Sequence, residues 1–116
     1  MDKNTITDAI RFLEQRLINS GLNISKIILF GSQAREQANE ESDIDIVIIS
    51  KDFQNKDIFK RCEMTKDAEI MTIREFMIPL DIITMTPDEF DNESSIIAGY
   101  ARNGKVVSNF FGENYE

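Results

Sequence analysis

The segment DIDIVII, Asp43 to Ile49, constrains the fold more than any other stretch. After Asp45 it is apolar at four successive positions, so neither face of a strand here looks onto water, which marks an interior strand. Asp43 and Asp45 stand at i and i+2 at its start. Side chains alternate along a strand, so both carboxylates lean to one side while Ile44 and Ile46 go to the other. Their Cα atoms are then about 6.5 Å apart, which lets both acids reach one pair of cations. An Asp-x-Asp pair is also common on a solvated strand edge. At the mouth of a buried strand, however, two carboxylates are costly unless paired or metal-bound.

The rest of the chain supplies partners for that strand. Ile6, Ala9, Ile10, Leu13 and Leu17 recur at helical spacing over Thr5 to Ile18, and Phe12 widens the stripe so that the helix can pack on a sheet. Thr5 with Asp8 reads as a capping box, and Ser20-Gly21 as the stop. KIILF, Lys26 to Phe30, is a buried strand ended by Gly31, with a short helical turn beginning at Ser32. A helix is expected from Asp57 to about Glu75, with Ile58, Phe59, Cys62, Ala68 and Met71 as its apolar positions. That connection is long enough for a crossover to a third strand, from Pro79 through Met85. Thr86-Pro87-Asp88-Glu89 then opens a helix running through Ile96, Ile97 and Tyr100 to a stop at Asn103-Gly104, and KVV forms a last short strand. The expected fold is a small α/β (α+β) domain, a mixed sheet flanked by helices. Residues 1–116 form one domain, with 109–116 as a flexible tail whose Phe110, Phe111 and Tyr115 are candidates for docking a partner.

Composition narrows the chemistry. The 116 residues contain no histidine and one cysteine, which removes Ser-His-Asp and Cys-His machinery, imidazole-bound zinc and any disulfide framework. Catalysis must use carboxylates, hydroxyls, amines, guanidinium groups or backbone, and oxygen ligands of that kind suit Mg²⁺ or Mn²⁺. A net charge of -8 argues against gripping a nucleic-acid backbone, although a mononucleotide with its metal is compatible. No apolar run is long enough for a membrane span and no signal core follows Met1, so a cytoplasmic protein is expected. Cys62 and the methionines at 64, 71, 77 and 85 read as packing residues.

Gly31-Ser32 directly follows a buried strand. Glycine there allows a sharp turn and close ligand approach, and Ser32 stands where a helix N-terminus favours phosphate. Arg35, one turn on, can add a bidentate grip. The dipeptide alone equally describes an ordinary turn with a capping serine.

Taken together, Gly31-Ser32-Gln33-Ala34-Arg35 and, after a polar connection, Ser42-Asp43-Ile44-Asp45 resemble the signature of the DNA polymerase β-like nucleotidyltransferase superfamily. The likeness is greatest to its minimal nucleotidyltransferases, whose motif is Gly-Ser-x-Ala-Arg-Gly followed by Ser-Asp-x-Asp. LDIITMTPDEF, Leu80 to Phe90, is similar to the strand that carries the family's third aspartate, here Asp81. The chain departs from the motif at Glu36, where glycine is usual, and Glu40 and Glu41 add charge to the same segment.

The resemblance implies a polymerase β-like fold and transfer of a nucleoside monophosphate, AMP from ATP, onto a hydroxyl. Asp43, Asp45 and Asp81 would be the catalytic and metal-binding residues, holding two Mg²⁺ ions, with Mn²⁺ as a substitute. Gly31, Ser32 and Arg35 would bind the nucleotide phosphates. It also implies an antitoxin that adenylylates a HEPN-domain toxin. A small-molecule nucleotidyltransferase, and a non-catalytic module that binds its partner without chemistry, remain as alternatives. A homo-oligomer is left open.

Overall fold

A computed structural model describes residues 3–30, 43–92 and 104–106. Helix α1 spans Lys3–Asn19, followed by strands β1, Lys26–Phe30, and β2, Ile44–Ile49. A 3-10 turn, Lys51–Phe53, leads to helix α2, Ile58–Phe76, then β3, Leu80–Met85, helix α3, Pro87–Asp91, and β4, Lys105–Val106. The sheet order is β3-β2-β1-β4. β1 runs antiparallel to both β2 and β4, whereas β2 and β3 are parallel, as the crossover through α2 requires.

The run after Asp45 makes β2 an interior strand, and Asp45 is the one residue of β2 that is not buried. Alternation divides the core in two. Ile27, Leu29, Ile44, Ile46 and Ile48 face α1, where Ile6, Ala9, Ile10, Leu13 and Leu17 supply the apolar stripe. Ile28, Val47, Ile49 and Met85 form the opposite face, with Phe30, Ile83 and Phe90 packed against them. Asp45 shares that second face. Phe12 meets Phe76 edge-on with ring centroids 5.7 Å apart, so α1 packs on α2 as well as on the sheet.

Two expectations fail on α1 and α2. Helix α1 already includes Lys3, so Thr5 has helical backbone and is not the extended residue that a capping box needs. On α2, Ala68 is the only one of the five expected apolar positions that is buried; the inward face carries Thr65, Ala68 and Thr72. Threonine can line that face because Thr65 Oγ1 donates to Arg61 O at 3.3 Å and Thr72 Oγ1 to Ala68 O at 2.7 Å. Counting apolar residues misses polar side chains that satisfy themselves against their own helix. Cys62 is exposed rather than a core residue. Met85 is buried and Met64 packs on the core, but Met71 and Met77 are exposed. Met77 is the left-handed C-cap of α2, at φ 56° and ψ 38°, the conformation that ends the helix.

The Thr86–Glu89 capping box forms as expected, with both reciprocal hydrogen bonds present and proline in the first turn. The helix ends at Asp91 with Asn92 extended at φ -73° and ψ 108°, so the single helix expected from Thr86 to Asn103 is interrupted there; Ile96, Ile97 and Tyr100 lie outside the described residues, as does the tail from 109. Among the described residues no helix is long and apolar enough to cross a membrane.

Gly104 seats β4. A Cβ built there would collide with the Leu29 carbonyl oxygen and come within 2.7 Å of the Ile28 side chain. Gly104→Ala should therefore push β4 off β1 and cost about 1–3 kcal/mol, the usual penalty for overpacking. A urea midpoint equal to that of the parent chain would rule this account out.

Candidate active site

Strand register builds the site. In the parallel β2–β3 pair Asp45 lies directly beside Asp81, with the start of β2 pinned by Ile44 N donating to Pro79 O at 3.0 Å. Neighbouring strands are about 4.8 Å apart, and residues in register point to the same face, so these two carboxylates are forced together. Asp43, exposed, precedes the strand by one residue. On the other side Phe30, the residue before Gly31, is the antiparallel partner of Asp45.

Electrostatics report the crowding. Burial raises the Asp45 carboxyl above its ordinary value first, then the charge of Asp81, then that of Asp43, and a hydrogen bond to Asp81 adds to the shift. Asp81 and Asp43, both named from the sequence, thus act on Asp45 in space. The donor set is all carboxylate oxygen, which is the chemistry that fits Mg²⁺ or Mn²⁺. Among the described residues no three such side chains are drawn in as closely as a formed metal cage requires. Gly31, Ser32 and Arg35, together with Glu36, Glu40, Glu41 and Ser42, lie outside the described residues.

One participant escaped the sequence reading. Glu69, half-buried on α2, has its carboxyl raised by burial and then by the charge of Asp81. Nothing local in the sequence marks it, because its proximity to Asp81 arises only from how the crossover helix packs on β3. An open cleft of about 670 Å³, lined in part by Arg16, Leu22, Asp52, Lys56 and Met64, lies elsewhere. Its walls border the start of β1 and the residues after β2, the opposite end of the sheet from Asp45.

Comparisons with known proteins identify the family and the fold. The family model for polymerase beta nucleotidyltransferases matches residues 13–108. The Methanocaldococcus jannaschii protein named "Putative protein adenylyltransferase MJ1305" is 28% identical over 110 residues, covering 92% of this chain and 74% of its own length. A Sulfolobus solfataricus crystal structure described as "a putative nucleotidyltransferase" superposes with a TM-score of 0.52 at 26% identity, covering 78% of this chain and 81% of that one. A crystal structure described as a toxin-antitoxin with AMP-PNP has a TM-score of 0.58 at 18% identity, covering 93% and 73%, and shows the same fold. The matched region contains β1, β2 and β3 and all three aspartates, and on that ground the chain belongs to the polymerase β nucleotidyltransferase family and is a nucleotidyltransferase.

Proposed function

We propose that the chain is a Mg²⁺-dependent protein adenylyltransferase that moves AMP from ATP onto a hydroxyl of a helical HEPN-type toxin, and so acts as its antitoxin. The observation that carries this reading is the register of Asp45 against Asp81, with the Asp45 carboxyl raised first by burial and then by its acidic neighbours. Crowded carboxylates at the end of an interior strand are a standing electrostatic cost that a bound cation would remove. The name of the Methanocaldococcus jannaschii relative supports protein as the acceptor class and adenylate as the group transferred. The toxin-antitoxin structure with AMP-PNP supports an adenine nucleotide and a toxin as partner.

Each residue has a role in this scheme. The acceptor hydroxyl attacks the α-phosphorus of ATP, the bond to the bridging oxygen of the leaving pyrophosphate breaks, and the hydroxyl proton passes to Asp81. Asp43 and Asp45 would hold two Mg²⁺ ions, with Asp81 completing one site. A divalent cation there supplies charge neutralisation at the triphosphate. Backbone amides at Gly31 and Ser32, the Ser32 hydroxyl and Arg35 would orient the phosphates, since the reaction asks chiefly for position and charge compensation.

The test uses ATP labelled at either the α- or the γ-phosphate, Mg²⁺ and the product of the neighbouring gene. Label retained on that protein from the α-position alone is the expected result. Retention from the γ-position would mean phosphoryl transfer instead. No retention, together with tight binding of the partner, would replace the proposal with the non-catalytic module.

A further inference from the structure

We propose that the protein substrate docks by adding an extended, basic segment antiparallel to the free edge of β3, with its acceptor hydroxyl opposite Asp81. Among the described residues β3 ends the sheet and pairs with β2 alone. Ile44 N donates to Pro79 O and Ser50 N to Met85 O, each at 3.0 Å, so the backbone groups of Pro79, Asp81, Ile83 and Met85 turn towards β2. Those of Leu80, Ile82 and Thr84 then point outwards. The Thr84 carbonyl accepts from Arg61 Nη1 at 3.4 Å. The N–H and C=O of Leu80 and Ile82 and the N–H of Thr84 have no partner among the described residues. A line of unpaired backbone groups, on a strand whose Leu80, Ile82, Ile83 and Thr84 are only half-buried, is a template for another strand.

The surroundings of the edge indicate what that strand carries. Asp81 turns its backbone to β2, so the residue opposite it forms a non-hydrogen-bonded pair, the closer kind, with Cα atoms about 4.5 Å apart. Both side chains point to the face that Asp45 shares. A serine, threonine or tyrosine there presents its hydroxyl to Asp81. As its oxygen bonds to the α-phosphorus of ATP, its proton passes to that carboxylate and pyrophosphate leaves. The two neighbours of that residue turn to the other face, towards α2. At about 100° per residue, Cys62, Glu69 and Ile73 lie on one flank of α2, and Met64, Asp67 and Met71 on the other. The second flank lines the cleft beside α1, so the first looks out over the β3 edge. Helix α2 runs antiparallel to β3 with Arg61 beside Thr84. At about 1.5 Å per residue against about 3.3 Å, Glu69 falls level with Leu80 and Asp81. The effect of the Asp81 charge on the Glu69 carboxyl agrees with that placement. The residue after the hydroxyl stands opposite Leu80 and meets Glu69, which suits a lysine or arginine.

Charge also decides against a second copy as occupant. Pairing β3 with its own copy about Ile82 would make the two Asp81 residues diagonal neighbours about 7–8 Å apart. The chain, with a net charge of -8, would bring no base to separate them in its own β3. Lys66 stands further round α2 and is exposed.

The inference rests on the reading of the chain as a protein adenylyltransferase, and its test separates the two. The probe is a blocked nine-residue peptide with a central tyrosine, valine before it, lysine after it and glutamine elsewhere. Its control is the same peptide N-methylated at that valine and lysine, which removes the amides that would donate to Ile82 O and Leu80 O and keeps every side chain. Without ATP, hydrogen exchange at the Leu80 and Ile82 amides of the full chain should slow at least about 10-fold under saturating peptide and stay unchanged under the control. With α-labelled ATP and Mg²⁺, the tyrosine of the first peptide should take label at least about 10-fold faster than that of the control. Slowed exchange without labelling supports the docking edge and counts against the transfer reading alone. Label entering the neighbouring-gene product while the Ile82 amide stays unprotected in that complex upholds transfer and overturns the docking. Equal labelling of both peptides, or unchanged exchange at millimolar peptide, overturns it too. Protection of Ile82 that grows with protein concentration alone assigns the edge to a second copy and overturns the proposal equally.

Discussion

Asp45→Asn is expected to lower AMP transfer by at least about 100-fold and, in the same protein, to raise stability at neutral pH. On the proposed mechanism the loss follows from removing one oxygen donor for the cation, since deletion of a single preorganised group costs about 10²–10³ in rate. The gain follows from the register that makes the site. Asp45 is pressed by burial and by the charges of Asp81 and Asp43, so its ionised form is disfavoured in the folded chain. A carboxyl whose folded value is raised above its unfolded one contributes stability only while protonated, and that contribution is lost as pH rises through the folded value. At pH 7 the ionised Asp45 is therefore a burden, and the neutral amide relieves it. The group is largely screened by solvent, so the gain is about 0.5 kcal/mol, the scale of a surface charge pair. It should shrink as pH falls towards the ordinary aspartate value of 3.8 and vanish below it, where the carboxyl is protonated in both states. Urea midpoints of the two proteins at pH 7 and pH 3 measure this directly. An Asn variant less stable than the parent at pH 7 would show that the carboxylates do not crowd one another as described.

Arg61→Ala is expected to lower stability substantially. Arg61 is the bolt between the start of α2 and the cap of α3: its guanidinium donates to both Glu89 oxygens, at 2.7 and 3.1 Å, and its Nε to Lys56 O at 2.9 Å. It also lies over the Phe53 ring at 5.8 Å, and its side chain is only 13% exposed. Glu89 simultaneously accepts from Thr86 N to close the capping box, so the pair ties two helices and the end of β3 into one unit. Losing a mostly covered, charge-assisted fork costs about 2 kcal/mol, or about 8 °C in Tm for a chain of this size. Arg61→Lys should recover less than half, because a point charge cannot reproduce the fork. The Glu89 carboxyl is held below its ordinary value chiefly by the Arg61 hydrogen bonds, against the opposing effect of burial. Its contribution is thus present above pH 4.5 and is lost as pH falls through the lowered folded value. Thermal melts of parent and variant should converge in acid; a constant gap from pH 7 to pH 3 would assign the effect to packing on Phe53 instead.

Local signals accounted for most of the strands. The apolar runs placed β1 and β2 at their observed bounds, because a strand buried on both faces leaves no other pattern. The capping box at Thr86 was equally plain, since its hydrogen bonds close within four residues. Helix α2 was legible as a helix but not in its orientation. Its inward face is written in threonines and its outward face in Phe59, Ile70 and Met77, the reverse of what hydropathy alone suggests.

The candidate site divides in the same way. The alternation that sets Asp43 and Asp45 on one side of β2 is a property of the strand itself, and the family signature marked Asp81 as their companion. The physical coupling of these residues is not local. Asp81 stands beside Asp45 only because α2 carries the chain back to pair β3 parallel to β2 in one register; a slip of one residue would turn it to the opposite face. Glu69 reaches the same group only through the packing of that crossover helix. By itself the sequence determined which acids the chain offers and on which side of a strand they stand. Only the tertiary structure decided which of them share a space, because the Coulomb interaction depends on distance between strands and not on separation along the chain.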